Sequence, residues 1–176
     1  MRDKLDRLVF IDETSLNTKM TKTTGWSQVG TRLRADTPHG HWLTQTFIAG
    51  LRHNEIIAPW VIDAPMNKQS FEAYVKTQLA PCLKPKSVVV LDNLSSHKSK
   101  IASQTLRDVK AWFLFLPSYS PDLNPIEMLF SKIKALMRKM AVRNYQALWK
   151  AVGHICDLVT DEECYNYFKA AGYEGE

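Results

Sequence analysis

The segment Ser87-Val88-Val89-Val90-Leu91-Asp92-Asn93 places an unbroken apolar run directly before a carboxylate. A short run of this kind, rich in valine, reads as a strand buried on both faces, the type found in sheets covered by helices. A second run, Leu8-Val9-Phe10-Ile11, ends at Asp12. If the two strands are parallel neighbours, Asp12 and Asp92 meet at one edge of the sheet, where open α/β sheets bind their ligands.

The rest of the chain fits around these two strands. His41 to Leu51 and Glu55 to Asp63 read as strands joined by a tight turn at Arg52-His53-Asn54. The polar, Gly-punctuated stretch from Asn17 to Pro38 reads as a long loop or small hairpin. Over Gln69–Leu79, Phe71, Tyr74, Val75 and Leu79 recur at helical spacing, and Pro81 and Pro85 close that helix. Ile101, Leu106 and Val109 predict another helix, and Ala111–Leu116 is a third apolar run. Pro117 to Pro125 is rich in turn formers and reads as loop. Asn124-Pro125 then has the pattern of a helix start, with Asn as cap and Pro at the first helical position. Ile126, Leu129, Phe130, Ile133, Leu136, Met137 and Met140 form its apolar stripe. Helices follow near 145–159 and 161–171, the latter opening on a Thr160/Glu163 capping box and stopping near Gly172. This order predicts an α/β fold: a mixed central sheet flanked by helices, with extra helices at the C-terminal end.

Composition narrows the class. The chain has 176 residues and is 45% hydrophobic, enough for one domain with a sizeable core. No run of about 18 apolar residues suggests a membrane span, and Met1 to Asp6 is charged with no apolar segment behind it, so neither membrane nor secretion is expected. The three cysteines, Cys82, Cys156 and Cys164, lack CxxC spacing and read as buried reduced thiols of a cytoplasmic protein. Net charge is +5, unevenly spread. Residues 157–176 carry a net −5, and residues 128–150 hold six bases and no acid. A basic body suits a polyanionic partner, although basic helices are often only solvated faces.

A lone Asp at a strand end most often caps a turn. Asp12 and Asp92 share one context, however, and Glu127 lies in the first turn of the helix after the loop. Helical spacing puts Glu127, Ser131, Lys134 and Arg138 on one polar face. Carboxylates that cluster need a cation between them, and such oxygen ligands suit Mg²⁺ or Mn²⁺.

The motifs add a resemblance. Leu91-Asp92-Asn93, with His97-Lys98 following, resembles the second catalytic block of mariner-superfamily transposases. Leu116-Pro117 and Tyr119-Ser120-Pro121-Asp122-Leu123-Asn124-Pro125-Ile126-Glu127 resemble the third block almost residue for residue. Ile11-Asp12-Glu13, with Gly25-Trp26 and Gly30, looks like the first. Between Asp92 and Glu127 lie 34 residues, a spacing similar to that of the bacterial insertion-sequence branch. The resemblance spans roughly residues 7 to 172 and implies a ribonuclease H-like fold and a DDE triad of Asp12, Asp92 and Glu127. It also implies two Mg²⁺ or Mn²⁺ ions per site, and cut-and-paste transposition into TA targets by a homodimer. Phe130 stands where many relatives have Trp, but it lies on the apolar stripe and serves packing.

No helix-turn-helix fits before Asp12, so residues 1–176 read as a single catalytic domain. A separate or fused half would read the transposon ends. The expected setting is the bacterial cytoplasm, on the nucleoid when bound to DNA. Two other functions fit the same residues: a ribonuclease H-like nuclease that only hydrolyses nucleic acid, and a non-catalytic DNA-binding remnant.

Supporting roles follow for other residues. Asn93 is a candidate to orient a carboxylate, and His97 to touch a phosphate or the attacking water, against a plain loop role for each. Asn124 as a helix cap would position Glu127, and Asp122 would shape the loop. Glu13 adjoins Asp12 but would point the opposite way along a continuing strand. Trp26 could stack on a base or pack a hairpin, while Lys98, Lys100, Lys132, Lys134 and Arg138 are candidate phosphate contacts.

Overall fold

At the centre of the sheet lies β1 (Leu8–Asn17), with an antiparallel neighbour on one side and a parallel neighbour on the other. The computed structural model describes residues 5–34, 36, 44–118 and 120–173. β2 (Thr44–Leu51) pairs antiparallel with β1 from Phe10↔Leu51 to Asn17↔Thr44, and β3 (Ile56–Ile62) extends that side. The start of the strand expected from His41 lies outside the described residues. β4 (Val88–Leu91) runs parallel to β1 from Leu8↔Val88 to Phe10↔Val90, and β5 (Trp112–Phe115) runs parallel beyond it. The strand order is β3-β2-β1-β4-β5.

The first strand does not end at Asp12 as its apolar run suggested. β2 offers a ladder partner at every position from Phe10 to Asn17, so the polar half of the strand is held by backbone pairing. β4 stops at Leu91, and β1 outruns it.

Helices cover both faces. α1 (Lys68–Tyr74) is capped by Asn67, whose side chain accepts from the Ser70 amide. It widens into a π turn over Val75–Leu79 and closes as a 3₁₀ turn over Ala80–Cys82, where Pro81 has no N–H to continue an α register. α2 (Lys100–Asp108) is capped by Ser99. α3 (Ile126–Met140), α4 (Tyr145–Asp157) and α5 (Asp161–Ala170) form the other layer. Thr160 caps α5 by accepting from the Glu163 amide. Among the described residues, no helix is long and apolar enough to cross a membrane.

Strand alternation divides the core in two. Phe10 and Leu16 of β1 pack with Phe47, Leu129, Phe130, Ile133 and Phe168 on the α3–α5 side. Val9 and Ile11 pack with Phe71, Tyr74, Leu79 and Leu106 on the α1–α2 side. Phe10 meets Phe168 edge-on at 5.2 Å and Tyr173 at 4.9 Å. The Tyr173 hydroxyl donates to the Leu123 carbonyl at 2.9 Å, fastening the loop before α3. The thiols differ from the expectation: only Cys164 is buried, Cys156 is half-buried and Cys82 is exposed, because Cys82 sits at the open end of the 3₁₀ turn.

Gly50 in β2 has no room for a side chain. A Cβ there would lie 2.8 Å from Ile57 Cγ1 and 3.3 Å from Val9 Cγ1. Gly50→Ala is therefore expected to destabilise the protein by about 1–3 kcal/mol through overpacking, read from the urea unfolding midpoint.

Candidate active site

The mismatch in length between β1 and β4 opens a cleft of about 550 Å³, with Asp12, Glu13, Asp92, Asn93, Asn124 and Glu127 among its lining residues. Asp12 lies in the ladder of β1, opposite Ala49 of β2. Asp92 is the first residue beyond β4, and Glu127 is in the first turn of α3. The three carboxylates named from the sequence thus line one cleft.

Asp12 is held by a side chain from a distant segment, and Asp92 by one from the loop that follows it. The Asn124 amide donates Nδ2–H to Asp12 Oδ2 at 2.9 Å, and the Glu13 backbone N–H donates to Asp12 Oδ1 at 2.8 Å. His97 Nδ1 lies 2.6 Å from Asp92 Oδ1, an ion-pair contact out of line for a hydrogen bond, and neither atom has another hydrogen-bond partner. Its Nε2 lies 3.0 Å from Glu13 Oε2. Burial disfavours charge on the imidazole, but Asp92 and Glu13 outweigh it and push the group up to about 9. Asp12 moves the same way for the opposite reason. Burial disfavours its charge most, Glu127, Glu13 and Asp92 add repulsion, and together they overcome the Glu13 amide to raise its carboxyl to about 7.

Several expectations change here. Asn124 is not a side-chain helix cap: α3 begins after Pro125 with no side-chain cap, and the Asn124 amide is taken by Asp12. Asn124 still steadies the turn through its carbonyl, which accepts from the Glu127 amide at 3.1 Å. His97 is 1% exposed, so it is a bridge between carboxylates and not a phosphate contact. Asn93 is exposed on the cleft. Glu13 does face away from Asp12, as strand alternation requires, yet it lines the same cleft because no β4 residue covers that face there.

Lys132 is committed elsewhere: its Nζ donates to both Glu163 oxygens at 2.6 and 2.5 Å, joining α3 to α5. Lys98 and Lys100 are exposed, and Lys134 and Arg138 are half-buried on α3. Trp26 packs in no hairpin; it is fully exposed, with Lys22, Arg138 and Lys139, beside a second groove of about 840 Å³. Tyr119 of the third sequence block lies outside the described residues.

The donor set fits a hard divalent cation. It is all oxygen, and the mutual repulsion that raises Asp12 is what a cation would relieve. Among the described residues, no three His, Cys, Asp or Glu side chains draw close enough to cage an ion by themselves. Mg²⁺ keeps several waters and needs few protein ligands, so an open carboxylate cleft suits it.

A mixed five-stranded sheet with helices on both faces and carboxylates at the β1/β4 edge defines the ribonuclease H-like class. The chain belongs to the DDE superfamily endonuclease family, whose model matches residues 7–148. Its fold is similar to that of Mos1 transposase in a paired-end complex with the left transposon end, at TM-score 0.79 and 18% identity over 95% of this chain and 52% of that one. The Mos1 mariner paired-end complex with Mn is similar at TM-score 0.80 and 18% identity, over 97% of this chain and 55% of that one. The isolated catalytic domain of Mos1 mariner transposase is similar at TM-score 0.67 and 15% identity, over 96% and 79% of the two chains. This chain therefore spans about half the length of the Mos1 chains in those complexes. No protein of curated function is significantly similar to it in sequence.

The raised Asp12 carboxyl makes a signed prediction for the metal-free protein. The folded chain keeps this proton from the ordinary 3.8 up to about 7, while the unfolded chain releases it. Its contribution to stability is thus present at acid pH and lost as pH rises through that window. Asp12→Asn is expected to raise metal-free stability above about pH 7 by on the order of 1–2 kcal/mol after discounting for solvent screening. Thermal unfolding across pH measures it, and added Mg²⁺ should stabilise the parent chain but not the variant.

Proposed function

We propose that this chain is the catalytic domain of a DDE transposase, cutting DNA at the ends of an element and joining the freed 3′-hydroxyl to target DNA. The observation that carries this reading is the meeting of Asp12, Asp92 and Glu127 in one cleft of a DDE-family chain. In this reading the three carboxylates hold Mg²⁺ or Mn²⁺, two ions per site. Ions held there would supply activation of an attacking oxygen and neutralisation of charge on a leaving oxygen. The chain's own residues set the geometry. Asn124 and the Glu13 amide orient Asp12, His97 orients Asp92, and the first turn of α3 presents Glu127 on an exposed face. Lys134 and Arg138 on α3, with the exposed Lys98 and Lys100, hold DNA phosphates, and Trp26 stacks on a base.

The finer assignments belong to the same proposal. The 34-residue spacing supports the bacterial insertion-sequence branch, hence a cytoplasmic setting and TA targets. Two ends must be joined at once, which calls for a homodimer. The reading of end sequences is assigned to a helix-turn-helix half outside these residues.

A strand-transfer assay with pre-cleaved 3′-hydroxyl DNA ends, a supercoiled target and Mn²⁺ tests the core of this. Joined products that disappear in Asp92→Asn are expected. Cleavage without joining would instead identify a nuclease that only hydrolyses, and no metal-dependent product would leave a DNA-binding remnant. On DNA affinity, Lys134→Ala with Arg138→Ala is expected to flatten the slope of log K against log salt by roughly 1–2. Lys132→Ala is expected to leave that slope unchanged and to cost about 1 kcal/mol of stability.

A further inference from the structure

We propose that Glu13 is a positioning residue that ties both aspartates of the cleft into one frame, holding Asp12 through its backbone N–H and Asp92 through His97. The proposal rests on the metal-binding reading above.

Asp12 and Glu13 are consecutive on β1 and leave the strand on opposite faces. Asp12 turns to the α3 side, where Asn124 meets it. Glu13 turns to the α1 side, where His97 meets it with Nε2 3.0 Å from Oε2. The opposite ring nitrogen stands 2.6 Å from Asp92 Oδ1. Through the Glu13 N–H on Asp12 Oδ1 at 2.8 Å, one residue of the central strand touches the supports of both aspartates.

Asp92 needs such a support more than Asp12 does. Asp12 sits in a ladder, whereas Asp92 lies past the last paired residue of β4. His97 can serve because it cannot move freely. It is 1% exposed, and Phe71 of α1 lies against its ring at 4.6 Å between centroids. The next residue of α1, Glu72, accepts from the Ser99 hydroxyl at 2.5 Å, so the loop bearing His97 is gripped twice by α1. A ring with a carboxylate at each nitrogen loses both contacts if it turns. Removing Glu13 leaves a buried Nε2 without an acceptor, which frees the ring to turn away from Asp92.

A double-mutant cycle on Mn²⁺ affinity tests this, with free Mn²⁺ read by electron paramagnetic resonance in the otherwise intact chain. Glu13→Ala and His97→Ala are each expected to weaken Mn²⁺ binding about tenfold, the usual scale for groups that orient metal ligands. The double variant is expected to be no weaker than the worse single, since both act through one chain of contacts. Glu13→Gln is expected to recover most of the loss, because its amide oxygen accepts the same Nε2–H. In ¹⁵N spectra of the metal-free protein, the His97 ring signals are expected to shift in Glu13→Ala. Should an alanine variant fail to fold, Glu13→Thr, which suits a strand, and His97→Phe, which keeps the packing on Phe71, carry the cycle. Losses that multiply in the double variant would overturn the proposal. So would a Glu13→Gln defect equal to that of Asp92→Asn, which would make Glu13 a direct ligand. Parent protein that binds no Mn²⁺ would remove the metal reading itself and the proposal with it.

Discussion

The parallel pairing of β1 with β4, only Leu8↔Val88 to Phe10↔Val90, is the constraint on which the rest depends. A parallel pair demands a crossover, and here β2, β3 and α1 lie between the two strands in the chain. It also demands burial on both faces, which the valine-rich β4 satisfies by packing Val90 into one core and Val89 and Leu91 into the other. Because the pairing is short and β1 long, the two strands part just where their carboxylates begin. The cleft is the space left when the ladder runs out.

Two helical layers then act on that space from opposite sides. From the α3 side, the Pro-rich loop delivers Asn124 to Asp12, and Tyr173 fixes the loop by its hold on Leu123. From the α1 side, Phe71 and Glu72 set the loop that delivers His97 to Asp92. Carboxylates that repel one another are thus kept in place by contacts that originate in separate cores. The chain carries net +5 overall, so this concentration of negative charge is local and suits a cation more than it suits DNA itself.

Much of this was legible before the structure. The apolar runs before Asp12 and Asp92 read as strands buried on both faces, with their parallel pairing left as a condition, and the helix bearing Glu127 announces itself by its stripe. What escaped the sequence depends on long-range partners. Asn124 before Pro125 looks like a helix cap, but Asp12, 112 positions away, takes its amide. Lys132 looks like a solvated base until Glu163 folds onto it. Alternation turns Glu13 away from Asp12, a rule that holds, but alternation cannot say that the neighbouring strand has already ended. Nothing in the sequence around Trp26 says whether it is covered, and the structure leaves it fully exposed beside a groove that Arg138 also lines.

The tie between Tyr173 and Leu123 bears on where this molecule can be divided. The family model matches residues 7–148, and the packing that supports the cleft reaches further. Phe168 is fully buried against Phe10 of the central strand, and Cys164 is buried in the same core. Tyr173 closes over Phe10 and restrains the loop leading to Asn124. The acidic final helix therefore acts as a brace: it lies far along the chain from Asp12, yet the residues in and just after it pin both the central strand and the loop that presents Asn124.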